Sequence, residues 1–359
     1  GQDYFDLTIR PDLNFLYILS LGNDTITDFS PSEDVLFGFS VPGIEVLDGD
    51  NDGLVDDTRL SFSTIGSVLL LDVRVSQMGG GNDDTLIGGG ANETILGNLG
   101  ADRLNGAGGD DALYGGLGDD TLDGGLGFDL LDGAAGAGDL ATYQSMTGQL
   151  VLLLDQGLGG SSEAGFDLYR GVERFLLGSG ADIVIGSTSS ENVDGGAGDD
   201  WISLGAGDDT LDGGVGGNDI LVGGDGSDLM TGGAGDQFYG GDGIDTVSFG
   251  GLTTGIAISV GAGWTAQGSG PGANYGIIGG AEVVWTGTGD DSVYGFTGLR
   301  SLGLGAGNDL AVDYSNTNND AYFGDAGNDA LYGLGGNDLL DGGSGVDILV
   351  GDAGDDTIV

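Results

Sequence analysis

Large apolar residues recur along most of this chain at steps of nine, each two positions after an acid: Leu86, Ile95, Leu104, Leu113, Leu122 and Leu131 follow Asp84, Glu93, Asp102, Asp111, Asp120 and Asp129. A period of nine fits neither the 3.6-residue step of a helix nor the alternation of one long strand. It fits a short strand behind a turn, repeated, and glycine writes the turn. The full pattern is Gly-Gly-x-Gly-x-Asp-x-apolar-x, plainest at 115–123, 195–203 and 342–350. Six residues make the turn and three the strand, so two nonapeptides complete a coil of about eighteen residues, and coils stack about 4.8 Å apart. The expected fold is all-β: a parallel β-roll in several blocks, with antiparallel β inserts, an amino-terminal β cap or small sandwich and almost no helix.

The pattern also divides the chain. Residues 1–78 are the least repetitive, and alternation at 24–29 and 68–75 suggests antiparallel strands. The first block fills 79–138 and a β insert 139–177. The second block, 178–248, has sixth positions at Asp182, Glu191, Asp200, Asp209, Asp219, Asp228, Gln237 and Asp245, with one extra residue near Gly217 and one missing after Tyr239. A second insert spans 249–286. The third block, 287–359, carries Asp291, Asp309, Asp329, Asp338, Asp347 and Asp356 around an Asn-rich loop at 316–319. The inserts are related: Gly171, Glu173, Gly178, Gly180 and Asp182 recur as Gly280, Glu282, Gly287, Gly289 and Asp291, so block plus insert is itself a repeat.

Charge turns this pattern into a requirement for cations. The chain has 58 acidic residues against 7 basic ones, all Arg, for a net charge of −51. Acid-rich chains are usually disordered, but those lack regularly spaced large apolar residues, and this one is 39% hydrophobic. Carboxylates stacked about 5 Å apart repel by about 3 kcal/mol per pair at an effective dielectric of 20. Summed over many coils, that forbids the fold without counterions. Each sixth-position Asp is therefore read as pointing into the gap between stacked turns and sharing an ion with its counterpart one coil on, helped by turn carbonyls. Calcium suits such sites because it is hard and takes six to eight oxygens in flexible geometry. The expected side-chain ligands are Asp84, Asp102, Asp111, Asp120, Asp129, Asp182, Asp200, Asp209, Asp219, Asp228, Asp245, Asp291, Asp309, Asp329, Asp338, Asp347 and Asp356, for on the order of a dozen Ca2+ ions.

Some positions are less regular. Glu93, Glu191 and Gln237 put a longer or neutral side chain at the sixth position, and spacing alone leaves open whether they hold metal. Glu173 and Glu282, at the heads of blocks, either ligate calcium or satisfy nearby amides. A separate stretch places Asp48, Asp50, Asp52 and Asp56 around Gly53 in the manner of an EF-hand loop, with Arg59 where the closing Glu belongs; a calcium loop closed by Asp56 or Asp57 is expected there.

What is missing excludes other chemistry. There is no His, hence no His-based triad or His-containing zinc site, and acids saturated with calcium are poor general acids, so no enzyme is expected. Seven scattered Arg make no basic face for nucleic acid or an anionic membrane surface, and no apolar run is long enough to span a bilayer. Cysteine is absent. Trp201, Trp264 and Trp285 are read as core or edge packing. Threonines at the seventh position, Thr85, Thr94, Thr121 and Thr210, are too sparse to favour an ice-binding row. Residues 1–6 read as the second half of a nonapeptide and Val359 ends one, so a segment of a longer chain is expected.

These motifs resemble those of the RTX proteins, the glycine- and aspartate-rich calcium-binding repeat proteins secreted by Gram-negative bacteria. Asn23 to Phe29, followed by Glu33 to Leu36, is similar to the β segment that commonly follows a roll in that family. The resemblance implies type I secretion of an unfolded chain, calcium-driven folding outside the cell, and sixth-position Asp residues as ligands. No secretion signal is recognisable at 351–359. The expected role is an extracellular calcium-stiffened structural or adhesive scaffold in a surface layer, filament or large adhesin, partnered by calcium and by copies of itself or the rest of a longer chain. The alternative is the secretion and folding module of a larger enzyme or toxin.

Overall fold

A computed structural model describes residues 77–161, 165–233, 235–260, 275–295, 298–314 and 318–359, together with six strands before them. Four of those strands, Gly22–Ile26, Gly66–Leu70, Asp57–Phe62 and Gly43–Leu47, form a sheet in that order. Asp57–Phe62 is antiparallel to both neighbours, but Gly22–Ile26 runs parallel to Gly66–Leu70. The two stretches expected to be antiparallel thus pair in the same direction, which requires a long crossover. The intervening chain, containing the other two strands of the sheet, supplies it. Phe15–Tyr17 and Val35–Phe37 form a second parallel pair.

Two compact units follow from the chain contacts: Gly1–Met146 with Gln156–Leu176, and Thr147–Asp155 with Leu177–Val359. In each, short strands of two to six residues alternate between two parallel sheets, the arrangement of a parallel β-roll. In the first unit one sheet stacks Thr85–Ile87, Arg103–Asn105, Thr121–Asp123, Leu140–Thr142 and Arg174–Leu176. The other stacks Gln77–Met78, Thr94–Leu99, Ala112–Leu117, Leu130–Ala135 and Gly165–Arg170. The second unit repeats this from Ile183–Ile185 and Asn192–Asp194 to Ile348–Val350 and Thr357–Ile358. Among the described residues the one helical element is a 3-10 turn at Leu154–Gln156.

Each coil places its eighth-position residue on that of the next, as Leu104 on Leu122 and Leu113 on Leu131. These side chains form the core between the sheets: Ile95, Leu104, Leu113, Leu122 and Leu131 are 0% exposed, as are Val184, Ile202, Leu221, Phe238, Leu331 and Leu340. Burying a large aliphatic side chain contributes about 1.5–3 kcal/mol, so a long row of them holds the two thin sheets together. Seventh positions and most ninth positions are half-buried or exposed, with Leu96, Asp132 and Thr142 among those buried at the ninth.

The register reports every slip. Ile202 pairs with Leu221 and Leu211 with Met230, one residue longer than the regular coil, which matches the extra residue near Gly217. Leu221 pairs with Phe238 and Met230 with Val247, one residue shorter. The deletion therefore lies before Gln237 and not after Tyr239. Gln237 becomes a seventh-position residue opening the strand Gln237–Asp242, and Asp236 takes the sixth position.

Of the inserts, the first carries the expected antiparallel pair, Leu158–Ser161 with Gly165–Arg170. In the second, Ala257–Val260 pairs parallel to Tyr275–Gly279, contrary to expectation, because it enters as a further rung between coils. The large-scale repeat is visible in matching turns: the Met146 N–H donates to the Tyr143 carbonyl and the Leu252 N–H to that of Phe249, each at 2.9 Å.

Candidate metal sites

Each nonapeptide turn ends at its sixth residue, where the chain enters the strand, so the Asp side chain starts at the edge of the sheet. One carboxylate oxygen reaches back one coil. Asp102 Oδ1 accepts from the Asp84 N–H at 2.8 Å, Asp120 Oδ1 from Asp102 at 2.7 Å, and Asp129 Oδ1 from Asp111 at 2.8 Å. The second unit does the same: Asp200 to Asp182, Asp309 to Asp291 and Asp338 to Asp320, at 2.7 to 3.0 Å. This ladder fixes one oxygen and leaves the other facing the turn.

That other oxygen has no partner. Asp102, Asp111, Asp120, Asp129, Asp182, Asp200, Asp209, Asp228, Asp245, Asp291, Asp309, Asp329 and Asp338 each bury an Oδ2 without a hydrogen bond. All the predicted roll aspartates are buried except Asp84, Asp347 and Asp356, which lie in the first and last described turns. Buried polar atoms are nearly always satisfied, and a buried charge left alone costs several kcal/mol. Burial pushes the carboxyls of Asp120, Asp129 and Asp309 up to about 7, and those of Asp102, Asp200, Asp209 and Asp245 to about 6. The row therefore demands cations or protons.

The space beside these oxygens is shaped by glycine. A β-carbon on Gly195 would stand 2.6 Å from Asp200 Oδ2 and 3.0 Å from the Gly213 carbonyl; on Gly324 it would stand 2.5 Å from Asp329 Oδ2 and 2.9 Å from the Gly342 carbonyl. First-position glycine is thus required by the convergence of a carboxylate and a carbonyl from the next coil. At the second and fourth positions the reason is conformational, as at Gly116 (φ 116°) and Gly118 (φ 125°). Among the described residues no three acidic side chains converge on one point, so an ion here draws its remaining ligands from turn carbonyls. An all-oxygen set of carboxylate and carbonyl donors fits calcium.

The irregular positions separate. Glu93 bends to the Gly89 N–H of its own turn at 3.1 Å, and Glu191 is held by the Ser187 hydroxyl. Glu173 and Glu282 accept from the Asp139 and Asp245 N–H groups at 3.1 and 2.9 Å, so both satisfy nearby amides. Asp48, Asp50, Asp52 and Asp56 lie outside the described residues, as does Trp264. Trp201 and Trp285 lie exposed on the sheet faces, at 41% and 45%, and are not core residues. Thr85 and Thr121 are separated by Arg103 in the same row.

Four ladder residues escape the nonapeptide pattern. Asp139, Asp167, Asp236 and Asp320 are buried, and the first three accept from Asp120, Asp129 and Asp219 at 2.7, 3.0 and 2.9 Å. Each precedes an apolar residue by two, Ala141, Tyr169, Phe238 and Tyr322, a signal visible without the glycines. The fifth position, on which the repeat pattern is silent, is also engaged. Asp83, Asp110, Asp199, Asp290 and Asn337 each accept from the fifth-position N–H one coil later, at 2.8 to 3.1 Å. Sixth-position side chains reach back and fifth-position ones forward, so adjoining turns are tied in both directions.

Comparison with known proteins agrees with this geometry. The family model of the RTX calcium-binding nonapeptide repeat matches residues 78–113, 96–131, 114–137, 185–217, 214–247, 278–311 and 315–358, more than half of the chain. A search of curated proteins finds no significant match.

Proposed function

Because the chain belongs to the RTX calcium-binding nonapeptide repeat family, we propose that it is an extracellular structural or adhesive scaffold, a segment of a surface layer, filament or large adhesin, that folds and stiffens on binding calcium. The observation that carries this reading is the recurrence of partnerless Oδ2 atoms from coil to coil in both units. Sites repeated from coil to coil bind cooperatively with folding, because each ion needs two formed turns. Calcium sites of extracellular modules bind at about 10⁻⁴ to 10⁻³ M, far above cytosolic calcium, which supports folding outside the cell. Among the described residues most of the sixth-position acids and several fifth-position ones are engaged in inter-coil bonds, which supports a mechanical rather than a catalytic role. No helix among the described residues is long and apolar enough to cross a membrane.

The test is chelation of the purified chain, followed by far-ultraviolet circular dichroism and by electron microscopy of any assembly. The scaffold reading expects loss of β structure and dissolution of ordered arrays, both restored by calcium. A chain that keeps its arrays in excess chelator, or that shows an enzymatic activity of its own, overturns it.

A further inference from the structure

One sheet of the second unit differs from the rest of the chain in its outer face. It stacks eleven parallel strands, from Val151–Leu153 to Ile348–Val350. In a chain that is 18% charged, none of the residues flanking a core residue in these strands is Asp, Glu or Arg. The opposite sheet of the same unit carries Asp194, Asp212 and Asp341 in the equivalent places. The acids of the uncharged sheet's own coils lie at its edges, in the turns, as Asp225 and Asp242 do.

The face is apolar as well as uncharged. Trp201 stands between Ile183 and Ile220 in one row, and Ile185 lies beside Ser203 and Val222 in the other. Trp201 is 41% exposed, Ile185 43% and Ile348 56%. A sheet face of this composition is normally covered by a second layer. Eleven strands about 4.8 Å apart and about 10 Å long give a footprint of about 500 Å² per copy. A pair of such faces buries about 1,000 Å², enough for a specific contact. A basic partner would dock on the acids and not here. The surface that matches this one in length, rung spacing and lack of charge is the same face of a second copy. Packed sheets lie about 10 Å apart, beyond the screening length of about 8 Å in physiological salt, so the acidic edges of two chains of charge −51 can approach there.

We propose that this face binds its counterpart on a second copy of the chain, the two outer sheets packing about a two-fold axis with Trp201 as an aromatic anchor. The inference rests on the scaffold reading above and names the contact by which copies join. Because the face exists only in the folded roll, association follows calcium binding.

The experiment is sedimentation equilibrium of the whole chain in saturating calcium, comparing the parent with Trp201→Asp, Ile185→Asp and Leu229→Asp. Leu229 is the control, an outward residue that is also 41% exposed but belongs to the opposite sheet. The expected parent is a dimer that tightens as salt is raised. Trp201→Asp and Ile185→Asp should each weaken it about a hundredfold or more, because each buries an unpaired carboxylate, and Leu229→Asp should leave it unchanged. Circular dichroism in calcium checks that the variants keep their β structure, and Ile185→Asp decides if Trp201→Asp does not. A folded parent that stays monomeric, whether or not it binds phosphatidylcholine vesicles, overturns the proposal and leaves calcium-driven folding standing. So does an assembly that both face variants leave unchanged, or that Leu229→Asp weakens equally. A parent without β structure in calcium overturns the roll reading, and this inference with it.

Discussion

The Tyr143 hydroxyl donates to Asp167 Oδ2 at 2.6 Å, filling the lone-pair site that in neighbouring coils has no hydrogen-bond partner from the protein. Asp167 holds a sixth-position place in the ladder through Asp129, yet both its oxygens are satisfied by protein. Tyr143 also lies 2.6 Å from the Tyr169 hydroxyl, which must be the donor, because Tyr143 has spent its one proton on Asp167. Tyr169 packs edge-on against Phe175. In the related second insert the place of Tyr143 is taken by Phe249, packed edge-on against Phe238. The first insert thus closes its coil with hydroxyl hydrogen bonds and the second with aromatic contact.

Tyr143→Phe removes one hydroxyl and strands two buried groups, Asp167 Oδ2 and the Tyr169 hydroxyl. The expected cost is about 1–3 kcal/mol, read as a lower urea midpoint in saturating calcium, with the number of bound ions unchanged. An unaltered midpoint would show that the pair carries no stability.

Adjacent acids should behave differently. Asp111 is buried with a partnerless Oδ2, whereas Asp110 is exposed and accepts from the Phe128 N–H. Asp111→Asn should lose an ion in equilibrium dialysis. Asp110→Ala should lose none and cost about 0.5–1.5 kcal/mol, the worth of one hydrogen bond. Equal losses of calcium would contradict the division of labour between the two positions.

Glycines can be sorted in the same way. A β-carbon on Gly97 would collide with Asp102 Oδ2 and the Gly115 carbonyl, while one on Gly90 meets nothing within 4 Å. Gly97→Ala should weaken calcium binding and destabilise by about 1–3 kcal/mol or more, as overpacking does, and Gly90→Ala should be close to neutral. Thermal unfolding in calcium separates them, and similar behaviour of the two would count against the cradle.

The cation-free chain should prefer acid. Burial raises Asp120, Asp129 and Asp309 from 3.8 to about 7, so the folded roll binds protons more tightly than the unfolded chain. Their contribution to stability is fully present below about pH 4, the unfolded value, and is lost as pH rises through 6 to 7. In chelator, β structure by circular dichroism should therefore be greater at pH 4.5 than at pH 7.5. Calcium, which stabilises the ionised form, should remove that preference. A chelated chain equally folded at both values would contradict this.

The core was legible because its signal is redundant: Ile95 to Leu131 stand at a fixed step behind an acid, and each is fully buried. The regular ladder was legible for the same reason. Asp139, Asp167 and Asp320 were not, because each has lost some or all of its turn glycines, and Asp236 was not, because its turn keeps the glycines but is one residue short. What remains, an Asp two before an apolar residue, is too common to stand out in an acidic chain. The fifth-position bonds were hidden because Asp, Asn and Ser all serve there, as Ser190 does for the Asp208 N–H. Strand direction in the second insert depends on where a rung enters the stack, and local pattern carries no record of that.

The most direct test of the central claim is an anomalous difference map from crystals of the chain grown in calcium. The account predicts a peak beside Oδ2 of Asp111, Asp120 and Asp209, each also within ligand distance of turn carbonyls. Well-ordered coils with only water or a shared proton at those oxygens would contradict it.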